Sequence, residues 1–585
     1  MTGWSATWPG ARTDATGSVP PAATLTRTPS RRSTDMQQEA LEVVREYAQA
    51  VFRRARVPME PLNYEVDWAD QPSRHTSYPG APRVPLPVAL PDLPTLRDLF
   101  TGEHLPPPGG WTLDRLATLL RLSYGVLDRR LTVNWNQDLA KRAHFEHAVW
   151  GRATASGGGM YPVELFLVAG PSAPLLPGVY HYGTGQHVLE RLLLGDVSGT
   201  VRAAVGDPAG GADSFLVASI RFWKNSFKYN SFCYHVVTQD LGALLGSWDL
   251  LARGLGVPLP RLLGFDSAPV DRLLGFDSDR ESAFAVVPLD WAGAAPDAGA
   301  DTAPDGSGRA GGSGPSGERP AEVRVRYPAF ERSRRLREFP AATEVHRAAA
   351  APATPAPDAL ADAAPRELPG EPQALPAPEL ARLARPLSAV LATRSSSFGR
   401  FRRPPELTAA ELGTTLAFAT AGRHHPADAG LPGDAPALTR LWVFANHVDG
   451  LDAGTYAYCS RRHVLLPAAP EPDGGMSAFL QQQYFLTNYT MGQVGAVLAI
   501  AGRLDAVLDA VGPRGYRILN AEIGAVAQRA YCAATAQRLG CGAVLGFDNV
   551  AMDEALGLTG TDERTVLFLL LGRHPDATAD LMYRL

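Results

Sequence analysis

The chain has 585 residues, of which 45% are hydrophobic, and its 55 basic and 60 acidic side chains give a formal charge of −5. This length predicts two or more domains in an ordinary globular protein. The weakly acidic balance does not favour nucleic acid or an anionic membrane as a partner. Because the N-terminal segment lacks the apolar core of a signal peptide and the apolar runs are too short to span a bilayer, we expect a cytoplasmic protein.

The cysteines do not indicate a disulfide framework or a metal site. They occur singly, without a CxxC pair, so we expect packed thiols. The histidines are not spaced with acidic residues like metal ligands, and we predict no metal. The four cysteines are Cys233, Cys459, Cys532 and Cys541.

Hydrophobic patterning predicts helices and strands in alternation after a polar N-terminal tail. Residues 1–34 are rich in Ser, Thr, Pro and Arg and are predicted to be disordered. A strand is expected after residue 162 and a strand pair over 177–192. The other predicted elements of the first half are helices over 35–56, 113–124 and 236–254, and strands over 214–220 and 283–287.

A segment rich in small residues separates two halves of the chain. Residues 293–384 are predicted to form a flexible linker, because 293–320 and 347–378 consist largely of Ala, Gly and Pro. Between these stretches, VRVRYPAFERSRRLREFP carries a cluster of arginines. A solvated surface segment is the favoured interpretation, and a specific contact with an anion or a peptide is the alternative. The domains then cover 35–292 and 385–585.

The order of elements repeats after residue 385. ELTAAELGTTLAFATAG stands where LDRLATLLRLSYG stood, and NAEIGAVAQRAYCAATAQRLGCGAVLGFD matches TQDLGALLGSWDLLARGLGVPLPRLLGFD. This repeat predicts two diverged copies of one α+β unit.

A glycine run from Ser156 to Gly159 precedes Met160, Tyr161 and a strand-forming segment. Without Cβ atoms in this loop, a flat ligand or a phosphate can lie directly against the backbone amides. The spacing differs from that of the GxGxxG and GxxxxGK[ST] nucleotide loops. A simple bend before a strand is the alternative interpretation of these residues.

Several motifs together make the chain resemble the FMN-dependent nitroreductase superfamily. SGGGMYPVEL stands for the family's SAGALYPxEL, RSSSFGRF for its RRSxRxF, and GPRGYR for its ERGYR. Within the superfamily, the chain looks most like the SagB-type azoline dehydrogenases, which oxidise thiazoline or oxazoline rings in ribosomally made peptides. The resemblance covers about 100–292 and 385–575. It implies two fused nitroreductase-like domains, each an antiparallel-type sheet with flanking helices, that form an intramolecular pseudo-dimer.

The resemblance also implies an FMN site built from both halves. In the family, one subunit supplies an arginine and serine cluster, a GFD loop and a late Gly-Arg, while the other supplies the glycine loop. Arginine and serine side chains suit a phosphate, and a solvated surface is the alternative for the arginines. The implied FMN-binding residues are Ser156, Gly157, Gly158, Met160 and Tyr161 of the first half and Arg394, Ser395, Ser396, Arg400, Gly546, Phe547 and Arg573 of the second.

The reciprocal set of flavin-binding residues is incomplete. The first half offers only RHTSY at residues 74–78 and ends in VPLDW without a Gly-Arg, and the second half has no glycine run before LTRLWVF. We therefore infer one flavin per chain, held between the two halves.

Lys228 and Tyr229 correspond in position to the reacting pair of the family's azoline oxidases. Aromatising an azoline removes a proton from the carbon next to the ring nitrogen and a hydride from its neighbour, so a base must accompany the flavin. A lysine pKa near 10.4 must be lowered by burial or a nearby cation before the amine can serve as that base. Aromatic neighbours such as Phe227 and Phe232 can provide burial. The alternative is an exposed Lys228 with Tyr229 in the core.

The resemblance thus implies an FMN-dependent dehydrogenase that converts peptide azolines into azoles in the biosynthesis of thiopeptides or related products. Its implied partners are an azoline-containing precursor peptide and a cyclodehydratase or other modification enzyme, with molecular oxygen as the final acceptor. The chain is expected to be a monomer or to self-associate further. Two alternatives stay open: an NAD(P)H-dependent nitro or quinone reductase, and a flavin-poor scaffold subunit of a peptide-modifying complex.

Overall fold

The computed structural model describes residues 31–131, 149–293, 323–350, 360–397, 399–402, 407–422, 437–486, 488–575 and 581–584. Residues 1–30 of the predicted tail and the linker residues 294–322 and 351–359 lie outside these ranges. Residues 31–34, predicted to belong to the disordered tail, instead form the start of a helix. The helices are α1 (Arg31–Arg53), α2 (Leu96–Thr101), α3 (Leu113–Tyr124), α4 (Ser198–Val205), α5 (Trp223–Tyr229), α6 (Cys233–Leu255), α7 (Ser267–Leu274), α8 (Pro340–Ala348), α9 (Leu387–Thr393), α10 (Ala409–Thr420), α11 (Met476–Gln483), α12 (Leu504–Val511), α13 (Gly515–Ala536) and α14 (Asn549–Ala555).

The strands are β1 (Arg83–Pro85), β2 (Asp128–Leu131), β3 (Val149–Gly151), β4 (Val163–Ala169), β5 (Gly178–Gly183), β6 (Val188–Leu194), β7 (Phe215–Arg221), β8 (Glu281–Pro288), β9 (Gln373–Ala374), β10 (Leu407–Thr408), β11 (Thr439–Ala445), β12 (Val448–Asp449), β13 (Gly454–Cys459), β14 (Val464–Pro470), β15 (Ala496–Gly502), β16 (Leu539–Val544), β17 (Arg564–Arg573) and β18 (Leu581–Arg584).

Each half of the chain builds one antiparallel sheet. The first has the strand order β1-β6-β5-β4-β7-β8, and the second has the order β16-β17-β15-β11-β13-β14-β9. Strands β4 and β11 take equivalent places in the two sheets, each between a hairpin and the strand that precedes a long helix. The predicted α+β class and its repeat are confirmed by this arrangement.

Strand β4 shows why the sequences of the central strands are almost continuously apolar. Leu165 and Leu167 belong to the core that contains α6, whereas Phe166 and Val168 belong to the core that contains α7. Both faces of the strand are therefore covered, and apolar residues are favoured at every position. Hydrophobic burial on both faces fixes the start of the strand directly after the glycine loop.

The first helix of each repeat begins at a threonine cap. Thr112 accepts a hydrogen bond from the Arg115 amide at the start of α3, and Thr408 forms a capping box with Glu411 at the start of α10. The helix predicted over 113–124 is α3, with the same bounds. Across the described residues, each helix is either too short or too polar to cross a membrane.

Helices α6 and α13 pack against each other along most of their length and join the two halves. Glycines allow this approach: a Cβ built on Gly242 would lie 2.7 Å from Ala521 Cα, and one on Gly524 would lie 2.8 Å from Ala243 N. Polar side chains cross the same interface, where Gln239 donates to Asn520 Oδ1 at 3.0 Å. The predicted intramolecular pairing of the two copies therefore rests on these two helices.

The two ends of the chain each pack on the opposite half. Helix α1 lies against the second half, where Arg45 is paired with Asp509 and Arg56 with Asp548. Strand β18 pairs with β2 of the first half, which in turn pairs with β3 just before the glycine loop. These exchanged segments tie the halves together beside that loop.

Parts of the predicted linker form regular contacts with both halves. Strand β9 pairs with β14 and extends the second sheet. Residues 323–339, called the strap below, follow the surface of the first half, where the Val325 amide donates to Leu273 O and Ser333 Oγ donates to Asp70 O. Within the predicted linker 293–384, Val345 and His346 of α8 are buried, and Gln373 and Ala374 of β9 are held in a ladder with β14.

Candidate active site

The glycine loop is folded around the carboxylate of Asp240 in α6. Gly157 N–H donates to Asp240 Oδ1 and Ser156 Oγ donates to Asp240 Oδ2, both at 2.7 Å. Ser156 Oγ also accepts from the Tyr161 N–H at 2.9 Å. Burial raises the pKa of Asp240 to about 7, while the two donors favour its ionised form. A single buried carboxylate thus holds the loop from its first residue to its last.

Positive backbone φ angles explain the glycines of this loop. Gly158 and Gly159 have φ angles of 61° and 68°. Such angles favour glycine because a Cβ clashes with the backbone. Nothing lies within 4 Å of a Cβ built on Gly159, so the loop turns an open backbone face outward at that residue. Tyr161, with φ of 51°, completes the turn into β4.

Lys228 and Tyr229 lie directly against the glycine loop. A Cβ built on Gly158 would be 2.7 Å from Tyr229 Oη and 3.2 Å from Lys228 Nζ. Residue 158 must therefore be glycine for the Lys-Tyr pair to take this position. The two features that the sequence predicted as one site, 70 residues apart in the chain, are brought together.

The helix that carries the pair is held by aromatic contacts. Both side chains are partly buried at the end of α5. Lys228 Nζ lies 5.8 Å from the ring centroid of Trp68, and Tyr64 Oη donates to Phe227 O at 2.7 Å. Asn230 then turns the chain into α6 with a φ of 44°. The predicted aromatic surroundings are present, and Trp68 and Tyr64 add to them from a segment that the sequence did not connect with the pair.

Arg394 of the second half reaches the backbone that leads into the glycine loop. Its side chain is buried, and Nη2 donates to Arg152 O at 3.0 Å. The guanidinium carbon lies 5.2 Å from the ring centroid of Tyr531. Tyr531 Oη shares a 3.0 Å hydrogen bond with Ser396 Oγ. The predicted arginine and serine cluster therefore meets the first half at this point.

Gln528 in α13 fixes the same stretch of backbone. Its Oε1 accepts from Ala155 N–H and its Nε2 donates to Ala153 O, each at 3.0 Å. Sequence reasoning missed Gln528, Tyr531 and Asp240. They lie on long helices with no local motif, and only the pairing of α6 with α13 brings them to the loop.

Other predicted phosphate residues have less direct positions. Arg573 forms a two-pronged ion pair with Glu411, with Nη1 at 2.9 Å and Nη2 at 3.0 Å from the carboxylate oxygens. Ser395 and Arg400 are partly exposed, and the Arg400 N–H donates to Ser397 O. Glu411 thus orients the Arg573 guanidinium. The contact of Arg573 with a cofactor stays a prediction.

The predicted GFD loop connects to the Lys-Tyr pair through Arg54, the residue directly after α1. Phe547 is buried against Tyr484, and the Phe485 N–H donates to Gly546 O. Arg54 donates to the Leu545 carbonyl next to this loop. The same guanidinium lies 4.6 Å from the ring centroid of Phe232, whose ring is 6.4 Å from that of Tyr229.

Met160, next to the glycines, donates its N–H to Gly157 O at 3.2 Å.

Two other reactive side chains near the pair have structural surroundings. His235 is buried, shares a 2.7 Å hydrogen bond with Tyr516 Oη, and has its pKa lowered to about 3 by burial and by the nearby Arg54. Burial raises the pKa of Cys233. Both groups are therefore neutral near pH 7. Within the described ranges, no group of three or more His, Cys, Asp or Glu side chains is arranged to hold a metal ion.

The position that is equivalent to Tyr531 in the other repeat is filled by charged side chains. When the two repeats are aligned, Asp249 of α6 corresponds to Tyr531 of α13. Its carboxylate pairs with Arg261 at 2.6 Å and with Arg529 at 3.2 Å. Arg529 also donates to Gly422 O at 2.6 Å. A cavity of about 30 Å³ lies beside these residues. That volume accommodates about one water molecule and not a flavin.

Comparisons with known proteins agree with this architecture. Residues 440–573 match the Nitroreductase family. Trifolitoxin-processing protein TfxB of Rhizobium leguminosarum bv. trifolii is 29% identical over 168 residues, which cover 27% of this chain and 41% of that protein. A putative nitroreductase of Methanocaldococcus jannaschii is 29% identical over 134 residues, which cover 23% of this chain and 64% of that protein. The matches thus span less than two thirds of either relative.

A solved structure matches nearly the whole chain. The crystal structure of a putative nitroreductase from Anabaena variabilis superposes with a TM-score of 0.64 at 22% identity, covering 91% of this chain and 99% of that one. A likeness of this extent includes both sheets and the helices between them. Residues 440–573 thus match the Nitroreductase family, and the chain as a whole has a nitroreductase-like fold.

Proposed function

We propose that the protein is an FMN-dependent dehydrogenase that oxidises thiazoline or oxazoline rings of a peptide to the aromatic azoles. The observation that carries the proposal is the contact of Gly158 with Tyr229 Oη and Lys228 Nζ. It supports the proposal because an amine and a hydroxyl lie beside an open loop of backbone. Proteins of the nitroreductase family typically bind a flavin, and their usual chemistry is redox chemistry.

The residues between the halves fit FMN by their chemistry. Arg394 and Ser396 provide a guanidinium and a hydroxyl, which are suitable donors for a phosphate. Ser397 Oγ is buried and has no hydrogen-bond partner among the described residues, so a donor and acceptor remains for a ligand. The open backbone at Gly159 suits a flat ring. We assign FMN to these residues together with the other implied binding residues.

Oxidation of an azoline requires the removal of one proton and one hydride. Bound FMN supplies the two-electron acceptor. Neutral Lys228 accepts the proton from the ring carbon at Nζ and becomes an ammonium, and Tyr229 Oη, against the same glycine, hydrogen bonds to the ring or to the departing proton. The proposed step requires the neutral form of Lys228, whose Nζ lies 5.8 Å from the ring centroid of Trp68 in the partly buried end of α5. Asp240 keeps the loop in the position on which these contacts depend.

The similarity to a trifolitoxin-processing protein supports a processing role for this chain. In the proposed pathway, the substrate is an azoline-containing precursor peptide, and a cyclodehydratase or another modification enzyme supplies the ring. Molecular oxygen is the proposed final electron acceptor.

The decisive experiment measures azoline oxidation by purified protein and its Lys228 variants. We expect Lys228→Ala and Lys228→Arg to lower the rate of azole formation by about 100-fold or more, because a general base contributes about that much and arginine keeps the charge without accepting a proton. Flavin content measured by visible absorption is the control and should equal that of the wild type. Full activity of Lys228→Arg would show that only a positive charge is needed and would contradict the assignment of a base.

A second candidate is an NAD(P)H-dependent nitro or quinone reductase, which the similarity to putative nitroreductases favours. In that case, NADPH or NADH would bleach the flavin absorption within seconds under anaerobic conditions. Lys228→Ala would leave that rate unchanged. Slow bleaching together with azoline turnover would favour the dehydrogenase.

A further inference from the structure

The strap carries a dense positive charge on an otherwise acidic protein. Its 17 residues contain six arginines and two glutamates, a formal charge of +4, whereas the whole chain carries −5. All six arginine side chains are exposed. None of their guanidinium groups forms an ion pair with a carboxylate of the described residues. They are Arg324, Arg326, Arg332, Arg334, Arg335 and Arg337.

Buried anchors hold this charged segment in a fixed course. Val325 and Phe339 are buried at its two ends, and Ser333 Oγ accepts from Trp223 Nε1 at 2.8 Å in its middle. The carboxylate of Asp70 accepts from the backbone N–H groups of Arg334 and Arg335. Asp70 thereby binds the backbone and leaves the arginine side chains directed to solvent. Glu338, the acidic residue at the end of the strap, is already paired with Arg280.

Apolar side chains alternate with the arginines on the exposed side. Val323, Tyr327, Phe330 and Leu336 are between 39% and 61% exposed. A cavity of about 280 Å³ lies between the strap and the first half, and its lining includes Phe222, Trp223 and Phe339. A surface of this kind suits a partner that carries negative charge together with an apolar side chain.

The strap leads to the candidate active site by two routes. Arg337 lies 5.6 Å from the ring centroid of Tyr64, whose hydroxyl binds the carbonyl directly before Lys228. At the other route, the Phe330 N–H of the strap donates to Ser77 O. In the same segment, Arg74 O accepts from Arg152, whose guanidinium carbon lies 4.3 Å from the ring centroid of Tyr161 in the glycine loop. A chain bound along the strap can therefore present a neighbouring segment at the Lys-Tyr pair.

We propose that the strap binds an acidic peptide segment, whose carboxylates pair with the exposed arginines while one apolar side chain enters the adjoining cavity. The segment is assigned to the peptide substrate, so the inference rests on the proposed function. A peptide is favoured over nucleic acid because aromatic side chains line part of the cavity that adjoins the charges, and because the chain as a whole is acidic.

The test uses fluorescence anisotropy with a labelled synthetic peptide of glutamate residues around a single leucine. The variant Arg334→Gln/Arg335→Gln is compared with Arg461→Gln/Arg462→Gln, another pair of adjacent exposed arginines. We expect the strap pair to weaken binding about fivefold or more at low salt, and the control pair to change it less than twofold. Equal effects of the two pairs, or binding insensitive to salt, would overturn the proposal.

Two further measurements separate the strap from catalysis. A single-stranded oligonucleotide that binds the strap more tightly than the peptide would identify nucleic acid as the partner and overturn the proposal. With an azoline peptide that includes an acidic segment, the strap variant should raise KM with kcat unchanged, and removal of that segment should abolish the difference from wild type. Peptide binding without any azoline oxidation would support the strap while refuting the proposed function.

Discussion

The buried carboxyl group of Asp240 makes the free energy of unfolding depend on pH. Its pKa is raised from 3.8 to about 7 in the folded protein, mainly by burial. Between about pH 4 and pH 7, the folded state therefore keeps a proton that the unfolded state has lost, and the free energy of unfolding falls as pH rises. A difference of this size corresponds to roughly 4 kcal/mol over the window. The stabilisation by the protonated group is complete below about pH 4.

The variant Asp240→Asn isolates this effect, because the amide has the shape of the carboxyl group and does not titrate. Denaturant unfolding between pH 4 and pH 8 should show a shallower fall of stability in Asp240→Asn than in the wild type. The exposed cap Asp266, changed to Asn, provides the control and should keep the wild-type slope. Identical slopes in all three proteins would mean that Asp240 is not protonated in the folded state near neutral pH.

At the scale of residues, the sequence identified what is locally unusual and missed what depends on distant contacts. The glycine run and the Lys-Tyr pair stand out in the sequence, and Gly158 brings them together. Asp240 and Gln528 bind the loop backbone from two different helices, and neither belongs to a recognisable motif. Arg573 is predicted to bind the cofactor, and its bidentate pairing with Glu411 depends on a cap in α10 that the sequence pattern does not reveal.

Among the helices, the close contact between α6 and α13 predicts how the addition of a single methyl group to a glycine changes the free energy of unfolding. A Cβ on Gly242 would meet the backbone of Ala521, including its Cα at 2.7 Å, and backbone atoms cannot move without separating the helices. We expect Gly242→Ala to lower the free energy of unfolding by about 1–3 kcal/mol. Gly199 in α4 has nothing within 4 Å of an added Cβ, and Gly199→Ala should be neutral or stabilising by up to about 1 kcal/mol. Chemical denaturation of both variants checks the contrast, and equal losses would contradict it.

Elements with strong periodicity were predicted well from the sequence, and elements fixed by long-range contacts were not. Helix α3 has its predicted bounds, and β7 and β8 lie within one or two residues of the expected strands. The strap has no regular period, since its conformation depends on anchors such as Ser333 and Phe339. The contact of α1 with the second half includes ion pairs such as that of Arg45 with Asp509, which connect residues far apart in the chain.

For the whole molecule, duplication followed by divergence predicts one functional flavin site in a pseudo-symmetric body. One interface position holds Tyr531 beside Arg394 and the glycine loop, and its counterpart holds Asp249 between Arg261 and Arg529. Among the described residues, the carboxylate of Asp249 in the second arrangement is paired with two arginines, and the cavity beside it has a volume of about 30 Å³. We propose that Arg394 in the first arrangement binds the FMN phosphate, whereas the ion pairs of Asp249 have a structural role.

This asymmetry can be measured with one variant on each side. We expect wild-type protein to release about one FMN per chain on acid treatment, and Arg394→Gln to release little, because the phosphate loses a charged donor worth roughly 2 kcal/mol. Arg529→Gln should keep the full flavin content but lower the free energy of unfolding by about 1–3 kcal/mol, because Asp249 loses one of two buried partners. If two flavins were released from the wild type, or if both variants lost flavin equally, the counterpart position would be a working site and the two halves would be functionally equivalent.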